Sequence, residues 1–202
     1  MGRGQKIDHQ ELRASILAAA TEIISAQGTS ALSIRKIAGK IGCAVGTIYN
    51  IFSSIDEVIL TINVATMTKL QARLLAETRQ NDDPLTSVIR LGESYVSFSR
   101  DNYHLWSLLI AHKPSPDTPL PEWFQKKIDD LFLLVSQRVM PLVDNDRARA
   151  EGAARVLWAS LHGICSLAIS GKLDTVHAEK AEVLAESLIR NYLQGLRLEN
   201  TL

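Results

Sequence analysis

The stretch Ser33–Phe52, SIRKIAGKIGCAVGTIYNIF, does most to restrict what this chain can fold into. It reads as two short helices joined by a tight turn. Ile37 and Ala38 stand together in the first helix, Gly42 follows four residues after Ala38, and Ile48 and Ile51 line the second. Ala38 is small where the second helix crosses close over the first. Gly42 suits the bend, because glycine adopts positive φ without a Cβ penalty. Ile37, Ile41, Ile48 and Ile51 supply the apolar contacts that hold such a pair at a steep angle, the shape that lays a helix in a DNA major groove. An Ala–x3–Gly pair alone is weak evidence. The apolar spacing and a preceding amphipathic helix make it specific.

The remaining chain shows helical periodicity nearly throughout and almost no strand signal, so the expected fold class is all-α with about nine helices. Leu12, Ile16, Ala19, Ala20 and Ile23 form one face of a first helix over about 8–26, with Gly28 placed to stop it. Ser33 is the expected N-cap of the first motif helix. The turn at 42–44 leads into a helix over about 45–51. A serine at 53 or 54 then caps a fourth helix running to about Arg79, with Asp56 and Glu57 complementing the dipole of its first turn. NDDP at 81–84 starts a fifth helix over about 85–100. A short helix over 103–112 follows, and then the loop KPSPDTPLP at 113–121, with four of the six prolines. Three helices finish the chain, over about 122–140, 145–171 and 177–199. The expected division is a DNA-binding unit at 10–70, with its motif at 33–52, and a ligand-binding and dimerisation unit at 71–202.

Net charge is zero, but residues 1–55 hold six bases (Arg3, Lys6, Arg13, Arg35, Lys36, Lys40) against three acids. A basic N-terminal unit on an acidic body suits a local nucleic-acid footprint. The two cysteines, Cys43 and Cys165, stand in unrelated contexts and suggest neither a metal site nor a disulfide framework. No apolar leader is visible, and the charge-free run Val156–Ser170 is shorter than the ~20 residues of a transmembrane helix. A cytoplasmic protein without a membrane partner is the simplest expectation. The five histidines are scattered, and no catalytic motif or phosphate loop appears, so neither an enzyme nor a cofactor is expected.

These residues resemble the TetR family of bacterial transcriptional regulators. The likeness rests on ILAAATEIISAQG, then LSIRKIAGKIG, then GTIYNIF: a helix ending in glycine, an Ile–Ala pair, the turn glycine and a Gly-Thr-x-Tyr recognition helix in order and spacing. Further on, Trp158, His162 and Gly163 in LWASLHGI look like the Trp–His–Gly signature of one subgroup's C-terminal domain. The resemblance implies a homodimer with one recognition helix per protomer in a major groove. It also implies a C-terminal pocket whose small-molecule effector releases a double-stranded DNA operator.

Residue by residue, the expected DNA-binding set is Arg35, Lys36, Lys40, Ala44, Val45, Gly46, Thr47, Tyr49 and Asn50. In the family, the positions of Thr47 and Tyr49 often meet phosphates, which fixes register without reading sequence. Packing in the core is the alternative for Tyr49, and close packing on the first helix is the alternative for Gly46. Arg3 and Lys6 form a basic arm that could reach a minor groove. Two departures matter. The family often has Ser-Lys where this chain has Ala44-Val45, and lysine where it has Ile55, so two phosphate contacts are missing. Val45 is expected to make an apolar contact instead, such as with a thymine methyl.

Expected pocket residues, among the fifth to eighth helices, are Tyr95, Phe98, Trp106, Leu109, Trp123, Phe124, Trp158 and His162; core packing is the alternative for each. An uncharged, lipophilic effector fits this lining. The last two helices are apolar on several sides, which suggests a dimer seam at Val156, Ile164, Leu184, Leu188 and Tyr192. The rival reading is a dimer of the same fold that binds a small molecule or protein but has weak or no DNA binding. A redox role for Cys43 in the motif turn is a lesser alternative to a small buried hydrophobe.

Overall fold

The computed structural model describes residues 8–77, 82–113 and 119–198. Among them ten α-helices form and no strand does: α1 His9–Gln27, α2 Ile34–Ile41, α3 Val45–Tyr49, α4 Ile55–Ala76, α5 Pro84–Asp101, α6 Tyr103–Ala111, α7 Glu122–Val139, α8 Arg147–Ile169, α9 Lys172–Thr175 and α10 Ala181–Leu198. Two 3-10 turns, Thr29–Ala31 and Met140–Leu142, complete the order. The helix beyond the nine expected is α9. Gly171, at φ 70°, ends α8, and a four-residue helix forms before α10. The expected helix end at Arg79, the start of NDDP at Asn81, prolines 114 and 116, and the arm residues Arg3 and Lys6 lie outside the described residues.

Local chemistry sets the helix ends. Gly28 closes α1 at φ 81°, its N–H returning to Ile24 O. Ser33 caps α2, its Oγ accepting from Lys36 N at 3.2 Å. Asp83 caps α5 with Pro84 behind it, accepting from the N–H groups of Leu85 and Thr86. Hydrogen bonding to Thr86 holds the Asp83 carboxyl below its ordinary value.

The described chain forms two compact units, and they do not divide at residue 70. Among the described residues, one comprises 8–66 with 104–113 and 119–120, the other 67–77, 82–103 and 121–198. The expected single cut is therefore replaced by three crossings, because α6 joins the N-terminal core. Leu105 and Leu108 pack there with Ile16, Ala20, Ile24, Ile37, Ile48, Phe52 and Val58. Each of those last seven is at most 1% exposed. Burying one such aliphatic side chain stabilises by about 1.5–3 kcal/mol.

In the second unit, Ala181, Ala185, Ile189 and Leu193 recur every fourth residue and make the buried stripe of α10. That helix packs on α5, where a Cβ on Gly92 would overlap Ile189 Cδ1. α8 buries Ala150, Ala153, Ala154, Leu157, Leu161 and Cys165 against this unit. By length and composition alone α8 could cross a membrane. Its first half, however, carries Arg147, Arg149, Glu151 and Arg155, and the charge-free remainder is shorter than the ~20 residues a span needs.

Candidate nucleic-acid interface and effector region

α3 is held by one side chain and open elsewhere. Ile48 is fully buried, while Ala44, Val45, Gly46, Tyr49 and Asn50 are exposed and Thr47 is half-exposed. The turn before it works as the sequence predicts: Gly42 takes φ 72° and ψ 33°, and its N–H bonds Ala38 O. Tyr49 is 52% exposed, so it is not the core aromatic that was its alternative. A Cβ on Gly46 would meet nothing within 4 Å, so close packing on the first helix is not why glycine stands there. Ala44 makes no side-chain cap to α3.

The basic residues around α3 differ in how they are held. Lys40 Nζ lies 2.6 Å from Glu22 Oε1, and Lys36 Nζ donates to Gln27 Oε1 at 3.1 Å. Arg35 is exposed, with no ion pair among the described residues. An exposed pair such as Lys40–Glu22 is worth ~0–1 kcal/mol, so the lysine can exchange partners at little cost. Cys43 is half-buried in the turn. Ile55 packs partly against the core, where a lysine would have to reach outward.

In the second unit, three of the expected pocket residues come together. Tyr95 Oη and His162 Nδ1 are 3.0 Å apart, and the Trp158 ring lies 5.9 Å from the imidazole. Two residues that the sequence reading did not single out extend this cluster. Phe132 meets Trp158 edge-on at 5.7 Å, and Arg155 lies 5.9 Å over Phe132. Burial lowers the His162 pKa below its ordinary 6.5, which favours the neutral ring. A neutral imidazole beside a phenol either accepts the hydroxyl proton or donates its own, according to tautomer.

The other expected pocket residues are placed differently. Phe98 and Phe124 are buried in the second unit, and Trp123 is 46% exposed, edge-on to Phe124. Trp106 is buried and Leu109 half-buried, both within the first unit. A cleft of about 620 Å³ opens elsewhere, bounded by Val96, Ser99 and Arg100 of α5, Cys165 of α8, Leu173 of α9 and Glu182 of α10. None of the eight expected residues lines it. Arg100 and Glu182 pair at 2.6 Å on its wall.

Among the seam candidates, Val156 is 44% exposed, while Ile164, Leu184, Leu188 and Tyr192 are half-buried. Val156, Ser160, Gly163 and Leu167 recur at helical spacing on α8 and form a face apart from its buried side. Leu167 is also 44% exposed.

A buried three-helix core presenting one short, open helix after a glycine turn, followed by a separate helical unit, defines a helix-turn-helix DNA-binding protein with a C-terminal helical domain. Residues 16–62 match the bacterial regulatory proteins of the tetR family, and residues 88–192 match the Tetracyclin repressor-like C-terminal domain. The chain therefore belongs to the TetR family of transcriptional regulators. The fold resembles that of a protein of unknown function from Rhodococcus sp. RHA1 (TM-score 0.74, 21% identity, 96% of this chain and 99% of that one). It also resembles a transcriptional regulator from Rhodococcus sp. RHA1 (TM-score 0.66, 23% identity, 91% and 96%). A third likeness is to the fatty acid degradation regulator FadR from Bacillus halodurans (TM-score 0.69, 16% identity, 96% and 98%). No curated protein matches the chain by sequence.

Proposed function

We propose that this TetR-family regulator is a homodimeric repressor that holds double-stranded operator DNA through α3 and leaves it when a small molecule binds the C-terminal unit. The observation that carries this reading is the recognition helix itself. Ile48 alone anchors it, leaving Val45, Gly46, Tyr49 and Asn50 open, with the Thr47 hydroxyl beside them. Thr47 and Tyr49 would donate to phosphates, Gly46 would let the backbone approach, and Val45 would meet a thymine methyl. Arg35, Lys36 and Lys40 would supply charge, Lys40 after exchanging Glu22 for phosphate.

Exposed Val156 and Leu167 on α8, with Leu184, Leu188 and Tyr192 on α10, suit a seam with a second copy. In a dimer competent for DNA, the two recognition helices stand about 34 Å apart, one turn of duplex. For the effector, the Tyr95–His162–Trp158–Phe132 cluster favours an uncharged, largely apolar molecule with one hydrogen-bonding group. The likeness to a regulator of fatty acid degradation is in keeping with such a ligand. Coupling would follow linkage: an effector that prefers the DNA-free geometry weakens DNA binding, and DNA weakens the effector by the same factor.

A gel shift against the chain's own upstream region, at low salt, tests this reading. A retarded band that small apolar molecules dissolve is expected. The second reading, a dimer of this fold with little DNA affinity, draws on Val45, Ile55 and the tied Lys40. It predicts no shift with that region or with genomic fragments.

A further inference from the structure

We propose that Arg13, on α1, is a phosphate-binding residue of the DNA interface. The proposal rests on reading the first unit as the DNA-binding one. Of the six bases in residues 1–55, Arg3 and Lys6 lie outside the described residues, Lys40 is paired with Glu22, and Lys36 is bonded to Gln27. Arg13, Arg35 and Lys36 meet no carboxylate within ion-pair distance among the described residues, and of these three Arg13 and Arg35 also make no side-chain hydrogen bond there. Arg13 is nevertheless held in place. Its guanidinium carbon lies 4.8 Å from the centroid of the Phe52 ring, which is itself 1% exposed. The side chain is on the surface, so the contact orients the cation while leaving its N–H donors open to a ligand.

The position explains what the cation is for. Phe52 follows α3 by three residues, so Arg13 stands at the far end of the recognition helix from the Gly42 turn. The neighbouring start of α4 is poorly furnished for phosphate. Ile55 carries no charge there, and Glu57 Oε2 already accepts from Ser53 N at 2.7 Å and Ser53 Oγ at 2.8 Å. A carboxylate thus fills donors that a phosphate would need, and negative charge at that point repels one. Arg13, fixed by a buried ring and unpaired, supplies the missing cation from a different helix. A guanidinium can grip two oxygens of one phosphodiester, which fixes register without reading sequence.

The test is fluorescence anisotropy of a labelled fragment of the chain's upstream region, titrated over a range of salt concentrations with the wild-type chain, Arg13→Gln, Arg13→Met and Arg13→Lys. Arg13→Met retains a long apolar stem on Phe52, so it keeps the first unit folded should the glutamine variant fail; circular dichroism checks both. The slope of log K against log salt should fall by about 1 per protomer in the glutamine and methionine variants and remain in the lysine variant. A wild-type slope in a folded glutamine or methionine variant overturns the proposal, and so does weaker binding at an unchanged slope, which marks a packing role only. If the wild-type chain itself does not bind, the DNA-binding reading fails and Arg13 falls with it.

Discussion

α3 and α8 both leave much of their surface open, and the difference between them separates two kinds of partner. α3 is five residues long and turns glycine, hydroxyl groups and a single valine outward from one buried isoleucine. Its exposed apolar surface is that of Val45 and the Tyr49 ring, and the rest of its open face is backbone and hydroxyl. α8 is 23 residues long and buries six of them, leaving Val156 and Leu167, which share a face, each more than 40% exposed, while Trp158 lies on the other side against Phe132 and His162. Contiguous exposed apolar patches mark protein interfaces, whereas single exposed apolar residues are ordinary. On the proposed function, α3 meets a polar, charged partner and α8 an apolar one. Mutations that strike each should therefore fail in different assays.

The largest effect belongs to the core under α3. Ile37→Ala, at a site with no exposure, should cost about 2–5 kcal/mol in denaturant unfolding. It should abolish DNA binding while leaving self-association intact. Next comes the α8 face: Leu167→Asp should weaken dimerisation by about 2 kcal/mol or more, some thirtyfold. Sedimentation would then show the 22.3 kDa chain at concentrations where the wild type is twice that mass. An unchanged mass would place the apolar face elsewhere. Gly42→Ala should cost about 1 kcal/mol, because φ 72° is strained for a Cβ although nothing blocks one. Thermal melts of the first unit would register it.

The smallest effects concern the Tyr95–His162 cluster. Tyr95→Phe removes the bond to His162 and should cost about 1 kcal/mol. The pH dependence has a definite sign. Burial lowers the His162 pKa in the folded state, so the unfolded chain binds that proton more readily. Stability should fall as pH drops below the unfolded value of 6.5, until it passes the lower folded pKa. His162→Gln should flatten this slope. Asp83 and Glu182, whose carboxyls are held below their ordinary 3.8 and 4.5, act in a separate and more acid window. Glu182 is stabilised first by its own backbone N–H and then, against some desolvation, by Arg100; Asp83 is stabilised by Thr86. For both, stability is present above the unfolded pKa and lost as pH falls through the folded one.

Local chemistry was readable from the residues alone. Gly28, Ser33, Gly42 and the Asp83–Pro84 pair each stop or start a helix through their own side chain or backbone freedom, and all four do so here. Tertiary choices were not readable. Leu105 and Leu108 have the same apolar period whichever core receives them, so nothing local assigns α6 to the N-terminal unit. α9 is too short for any periodicity to emerge. The aromatic cluster was half legible. Tyr95, Trp158 and His162 stood out by residue type, but Phe132 and Arg155 join them only through packing of α7 and α8. Exposure was hardest of all. Tyr49 on α3 and Phe52 just beyond it are both aromatic, yet one is 52% exposed and the other 1%.

Hydroxyl-radical footprinting of the upstream region at low salt tests the central claim most directly. Two protected half-sites about one helical turn apart, one per recognition helix, should appear and fade together as salt rises. Uniform cleavage at protein concentrations where the dimer is fully formed would contradict it.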